Sequence, residues 1–246
     1  EDLRARTRFP CVVKPSFGNA GIGLRLVHSP DDIEQAIVHA TRHTNDFSQP
    51  VCIEHWLDRR TDISCQWELH ADGSRGRVYI AEALVTGGGS SYGTVVTTNN
   101  ETLGEHHVTL IDTVDRISTA LHHGGYFGPA NIDAMVCEVN RRPVLVPLLE
   151  INARYSMSAV AHRVAARLGS PACYLLRTLG RRHHVLPPTY EQLDTRLGDY
   201  AWDASGATGI LILTPLRLCD SPAPSQPRRS VFFLAAHNPA ALREID

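Results

Sequence analysis

Glu150-Ile151-Asn152-Ala153-Arg154 constrains this chain most, because a hairpin carries it back to Asp133. Residues 131–137 read as a strand, and so do residues 144–151. Between them Asn140-Arg141-Arg142-Pro143 is polar and suits a tight turn. With Arg141 and Arg142 as the turn residues, Asp133 lies opposite Glu150. Facing residues on an antiparallel pair have Cβ atoms only ~4.5–5.5 Å apart. Residues two apart share a face, so Asn152 and Arg154 project beside Glu150. Two carboxylates that close repel each other unless a cation or proton sits between them. Three hard oxygen ligands on an open surface suit Mg²⁺, which keeps several waters and completes its shell with phosphate oxygens, or Mn²⁺ in its place. The other open reading is a surface hairpin with unrelated polar residues. Pro147 favours an edge strand or a bulge, and a one-residue bulge would take Asp133 out of register.

The second feature is Lys14, the single lysine among 24 lysines and arginines. It ends the apolar run Phe9-Pro10-Cys11-Val12-Val13, and Pro15-Ser16-Phe17-Gly18-Asn19-Ala20-Gly21-Ile22-Gly23 follows it. Leu24-Arg25-Leu26-Val27 then reads as a returning strand. Such a loop folds backbone N–H groups over a phosphate, with the ammonium as a point charge. It is not a Walker loop, which needs Gly-Lys-Ser/Thr after the glycines. Nor does it open a helix, as a dinucleotide fingerprint does. A plain hairpin turn using glycine for positive φ stays open beside the phosphate reading.

Taken together, Val-Val-Lys-Pro, the glycine loop, a helix, Glu-x-x-Leu and Asp…Glu-x-Asn-x-Arg resemble the ATP-grasp superfamily, from about Phe9 to about Leu168. Within it, the chain looks most like the carboxylate–amine, peptide-forming ligases. The resemblance implies an α+β, two-lobed ATP-grasp domain with the nucleotide between the lobes. By position, Lys14 would contact the ATP phosphates and act in catalysis, and Gly18, Gly21 and Gly23 would line the phosphate lid. Glu54, Trp56 and Leu57 match the hinge that holds adenine and ribose. Asp62 is the candidate for the family's second acid after the hinge. Asp133, Glu150 and Asn152 match the magnesium ligands, and Arg154 the catalytic cation near the transferred phosphoryl group. The implied cofactors are ATP and Mg²⁺. The implied activity joins a small carboxylate to an amine, an amino acid or peptide among them, through an acyl phosphate, releasing ADP and phosphate. Its alternatives are a non-catalytic nucleotide-binding module, half of a split enzyme, and an ATP-grasp carboxylase or phosphotransferase.

The pattern departs from the family at three points. Asp62 lies one residue farther from the hinge leucine than the family spacing. Asp133 and Glu150 are 17 residues apart, so the hairpin is longer than usual. Only 13 residues precede Lys14, so the family's other ATP-contacting lysine and its N-terminal αβ domain are not in this stretch. The expectation is a fragment that needs a preceding domain or a partner chain for catalysis, with an apolar surface exposed around Phe9 to Val13. A homo-oligomer is compatible with all of this.

Composition excludes several other classes. A net charge of −2 leaves no basic face for nucleic acid, and no apolar run is long enough to span a membrane. The six cysteines are scattered without a Cys-x-x-Cys, which points to reduced thiols and a cytoplasmic protein. His106-His107, His122-His123 and His183-His184 are adjacent pairs, and adjacent side chains diverge, so they read as solvated rather than metal-binding.

Along the chain, residues 1–57 read as the small lobe, 58–186 as the large lobe with the metal hairpin, and 187–246 as C-terminal strands and a helix packed on the large lobe. Ser29 is expected to cap a first helix through Ile33, Ala36, Ile37 and Ala40, and a second helix covers 108–123. A helix after Ser156 carries Met157, Val160, Ala161, Val164 and Leu168 inward. Ser170-Pro171 is expected to open another short helix ending at Gly180. Residues 86–94, rich in glycine and hydroxyls, read as a loop that is either a substrate lid or a plain connection.

Overall fold

The computed structural model describes residues 7–16, 23–42, 49–86, 91–97, 103–104, 106–180, 186–217 and 227–245. Two compact units make up the chain. The first comprises residues 1–60, 85–91 and 137–144, and the second comprises 61–84, 92–136 and 145–246.

In the first unit, β1 (Cys11–Pro15) lies between β2 (Arg25–Val27) and β3 (Val51–His55). Both pairings are antiparallel, with Cys11 opposite Val27 on one side and His55 on the other. Helix α1 (Ile33–Arg42) covers this sheet with Ile33, Ala36 and Ala40, which meet Cys11, Val13 and Val27. Ser29 does not cap the helix: its hydroxyl donates to the Asp32 carboxylate at 3.0 Å, and a 3₁₀ turn, Pro30–Asp32, leads in. The expected apolar surface around Phe9 to Val13 is also absent. Cys11, Val12 and Val13 are buried, Cys11 and Val13 against Ile33, Ala36 and Ala40 of α1, while Phe9 is half-buried.

The second unit is organised on an eight-stranded sheet in the order β10-β11-β9-β6-β5-β4-β7-β8. Its strands are β4 (Asp58–Leu69), β5 (Tyr79–Val85), β6 (Ser91–Thr97), β7 (Gly128–Val139), β8 (Arg142–Asn152), β9 (Cys173–Gly180), β10 (Gly209–Ile212) and β11 (Arg229–Ala236). Strand periodicity divides β4 and β7 between two environments. Ile63, Cys65, Trp67 and Leu69 alternate along β4, as Ala130, Ile132, Ala134 and Val136 do along β7. They form one core with Leu110 and Val114 of α2 (His106–His123). The intervening residues Ser64, Gln66 and Asn131 are buried as well, and they are polar. This second, polar face carries the candidate site.

Two cores flank the other half of the sheet. Leu175, Phe232 and Leu234 pack with Leu193 of α4 (Tyr190–Leu197) and Leu242 of α5 (Pro239–Ile245). Tyr174, Leu176, Phe233 and Ala235 pack with Ala161 and Ala165 of α3 (Met157–Arg167).

Residues 173–180, expected as a helix, are therefore the strand β9, held between β11 and β6. Both of its faces are covered, so its apolar run carries no period-2 signal, and a short run of that kind reads equally well as helix. The second half of the expected 86–94 loop is likewise strand, since β6 pairs with β9 from Gly93 opposite Arg177. Gly87 to Ser90, His183, His184 and the 218–226 segment lie outside the described residues.

Cys11, Cys65, Cys137 and Cys173 are free and buried, and Cys52 is free and exposed. No described helix is long and apolar enough to cross a membrane.

Candidate active site

The β7–β8 hairpin turns one residue earlier than expected. Asn140 and Arg141 both take positive φ, 52° and 63°, as a two-residue hairpin turn requires, and Pro143 lies inside β8. Simple counting from that turn would set Leu148, not Glu150, opposite Asp133. The side chains nonetheless converge. Asn152 Nδ2 donates to Asp133 Oδ2 at 3.1 Å and to Asn131 Oδ1 at 3.2 Å. Uniform pairing from the turn therefore does not describe the site end of the hairpin. As the edge strand of the sheet, β8 is where Pro143 and Pro147 are tolerated.

Asp133 sits on the polar face of β7, with β4 on one side and β8 on the other. Burial first, and the Glu150 carboxylate second, push its carboxyl up to about 6. Hydrogen bonds from Ser64 and Asn152 and the Arg154 charge act in the opposite direction without overcoming them. Glu150 and Arg154 are exposed, and Arg154 donates to Asn152 Oδ1 at 3.1 Å. The arrangement is two neighbouring carboxylates, a carboxamide oxygen and a guanidinium. A divalent cation would relieve the repulsion that raises Asp133, and the donor set of oxygens fits Mg²⁺. Among the described residues, no three His, Cys, Asp or Glu side chains form a group that could hold a metal ion.

Beneath these groups lies a polar layer that the motif alone does not mark. Asn131 Nδ2 donates to Ser64 Oγ at 2.7 Å and to the Cys65 carbonyl at 3.1 Å. The Ser64 and Ser158 hydroxyls are 3.1 Å apart, and those of Ser158 and Ser156 are 2.6 Å apart. Ser156 donates from its backbone N–H (3.0 Å) and its hydroxyl (2.9 Å) to Gln66 Oε1. The signal that would have found this layer is alternation, with Ser64, Gln66 and Asn131 taking every second place in strands whose other places are apolar.

The nucleotide-side candidates fall elsewhere. Lys14 Nζ lies 2.8 Å from Glu54 Oε2 across β1 and β3, within the first unit. Gly23 holds φ +84° in the turn before β2, which suits its expected role in a tight loop, while Gly18 and Gly21 lie outside the described residues. Trp56 donates its backbone N–H to the Pro10 carbonyl at 2.9 Å, and the Arg59 guanidinium stands 4.7 Å from its ring centre. Leu57 is half-buried beside it. Asp62 belongs to the second unit, opposite Ala83 on β5 and two residues before Ser64 on the polar face of β4.

A family model described as "Carbamoyl-phosphate synthase L chain, ATP binding domain" matches residues 2–169, which include both Lys14 and Arg154. Among curated proteins, multifunctional protein pyr1-3 of Dictyostelium discoideum is 27% identical over 165 residues, 62% of this chain and 7% of that protein. The formate-dependent phosphoribosylglycinamide formyltransferase of Erythrobacter litoralis (strain HTCC2594) is 32% identical over 76 residues, 30% of this chain and 20% of that protein.

Among solved structures, the biotin carboxylase domain of Hydrogenobacter thermophilus 2-oxoglutarate carboxylase, bound to MgADP, ADP and bicarbonate, matches with a TM-score of 0.60. That match has 10% identity over 96% of this chain and 55% of that one. The carboxyaminoimidazole ribonucleotide synthase of Aspergillus clavatus, complexed with ATP, matches with a TM-score of 0.58 and 13% identity over 98% of this chain and 61% of that one. At these identities the likeness establishes the fold. The chain spans a small part of its curated relatives and little more than half of these solved chains.

Proposed function

Because the chain belongs to the ATP-grasp family of carbamoyl-phosphate synthase L chain ATP-binding domains, we propose that it binds MgATP and uses it to activate a small oxyanion for transfer to an amine. The observation that carries this reading is the meeting of Asp133, Asn152 and Arg154 on one polar face, with the Glu150 charge beside them. Asp133, Glu150 and Asn152 would hold the cation. Bound there, Mg²⁺ would neutralise charge on the phosphate oxygens. Lys14 would meet the ATP phosphates, exchanging its Glu54 partner for them, and Glu54 with Trp56 and Leu57 would hold the base and sugar. Asp62, one position away from the family spacing, is the second sugar-side acid in this reading.

The chemistry follows from what such groups can do. An oxygen of the substrate carboxylate attacks the γ-phosphorus, and the bond from phosphorus to the β–γ bridging oxygen breaks, leaving ADP. Arg154 balances charge on the phosphoryl group in flight. The amine nitrogen then attacks the acyl carbon, phosphate departs with the bonding pair, and the nitrogen loses a proton. No side chain need act as a nucleophile.

Peptide formation is one narrower version. Carboxylation, with bicarbonate as the oxyanion, is the other, and it is favoured by the carboxylase and carboxyaminoimidazole ribonucleotide synthase likeness of the whole fold.

A nucleotide-release assay separates these. ADP and phosphate are the expected products, with amino acids and dipeptides, formate and bicarbonate tested in turn as the oxyanion. Hydroxylamine is expected to trap an activated carboxylate as a hydroxamate. AMP and pyrophosphate as the products with a competent substrate would rule out the acyl-phosphate route.

A further inference from the structure

We propose that Asn131 is a positioning residue that sets the orientation of the Asn152 amide, and so decides which atom of Asn152 is offered to a bound cation. The proposal rests on the hairpin being the metal and nucleotide site. A carboxamide is nearly symmetrical in shape, so packing alone does not distinguish its oxygen from its nitrogen. Hydrogen bonding does, because a carbonyl oxygen accepts only and an NH₂ donates only.

The information starts at a backbone group. The Cys65 carbonyl in β4 accepts, so the atom of Asn131 facing it at 3.1 Å is the NH₂. Asn131 is 1% exposed, and its NH₂ is held on the same side by Ser64 Oγ. Asn131 Oδ1 must then point the other way, toward β8, and it too only accepts. The group facing it is Asn152 Nδ2, at 3.2 Å. The second hydrogen of that NH₂ goes to Asp133 Oδ2. Both hydrogens are therefore occupied inward, and Asn152 Oδ1 is left outward on the Arg154 side. The outward oxygen is the atom that a hard cation uses.

The same layer extends to α3. Ser64 links to Ser158, Ser158 to Ser156, and Ser156 to Gln66, whose Nε2 donates to the Ala130 carbonyl at 2.8 Å. Ser64, Gln66, Asn131 and Ser158 are all at most 5% exposed. A buried network in which each member is partnered is rigid, and removing one member leaves the others unsatisfied. Ser64 joins this layer to Asp133, and Asn131 joins it to Asn152 on β8.

The test uses the full chain, with asparagine side chains labelled for NMR and Mn²⁺ alone as the metal probe. In the metal-free wild type, the Asn131 and Asn152 side-chain NH₂ protons are expected to exchange more slowly than those of exposed Asn238. Asn131→Leu is expected to speed exchange at Asn152 and to weaken Mn²⁺ binding about tenfold, the low end for a residue that orients a metal ligand. Ser118→Ala removes a buried hydroxyl on α2, in the opposite core, and is expected to change neither quantity. The proposal is overturned if Asn152 in the wild type exchanges as fast as Asn238, or if folded Asn131→Leu binds Mn²⁺ as the wild type does. Should Asn131→Leu fail to fold, the wild-type exchange rates decide. A wild type that binds no Mn²⁺ but protects the Asn152 amide would instead overturn the metal reading and leave the orienting role standing.

Discussion

Glu150→Gln and Asp133→Asn are each expected to weaken MgATP binding on the order of a hundredfold, while the chain stays folded. In the proposed site, each variant removes one negative ligand from a shared hard cation. A charge-assisted contact is worth about 1.5–3 kcal/mol, and each ~1.4 kcal/mol is tenfold in affinity. Glu150 is exposed on an edge strand, so its amide variant disturbs no core. Titration calorimetry with ATP, with and without Mg²⁺, measures the effect. Unchanged MgATP affinity in both variants would remove the metal assignment. Loss of metal-dependent binding with metal-free ATP binding retained would localise the effect to the cation.

Asp133→Asn is expected to have a second effect, on stability. Asp133 is held up to about 6 from the ordinary 3.8, with burial as the main cause. Its folded-state value lies above its unfolded one, so the folded chain retains a proton that the unfolded chain gives up. Stability from this group is therefore present at low pH and is lost as the pH rises from about 4 to about 6. The loss amounts to roughly 1–3 kcal/mol in the metal-free protein. Asparagine carries no such charge. The metal-free Asp133→Asn chain should melt above the wild type at neutral pH, by roughly 2–8 °C, and match it near pH 4. Mg²⁺ with nucleotide should narrow the gap by stabilising the wild type more than the variant. Thermal melts across that range check this, and parallel curves for the two proteins would show that Asp133 is not held in an unfavourable ionised state.

The parts of the fold that could be read from sequence were those with one buried face. Helix α1 declared itself through Ile33, Ala36 and Ala40, and α2 through Leu110 and Val114. Strand β9 did not, because Tyr174 and Leu175 enter cores on opposite faces and leave no alternation to see. At the candidate site, Glu-x-Asn-x-Arg and Asp133 are legible because a polar turn at 140–143 folds their two strands together. The hairpin reasoning set Asp133 opposite Glu150 from a turn placed one residue too late, whereas the hydrogen bond the structure shows joins Asp133 to Asn152. Asn131 and Ser64 were missed because alternation marks a polar strand face without saying what that face bonds. Their role depends on which neighbours the sheet supplies, and no motif encodes that.

The placement of the hairpin at the rim of the large sheet has a consequence for solubility. An outermost strand is a template on which another chain can polymerise, strand upon strand. A chemical site placed there must admit small molecules and still refuse a second polypeptide. Pro143 and Pro147 lie four residues apart on β8, and neither has an N–H to contribute to a new ladder. Glu150 adds a charge that a second copy would have to meet with its own. The proline spacing thus protects against aggregation, and substituting both prolines with valine would trade an accessible rim for an adhesive one.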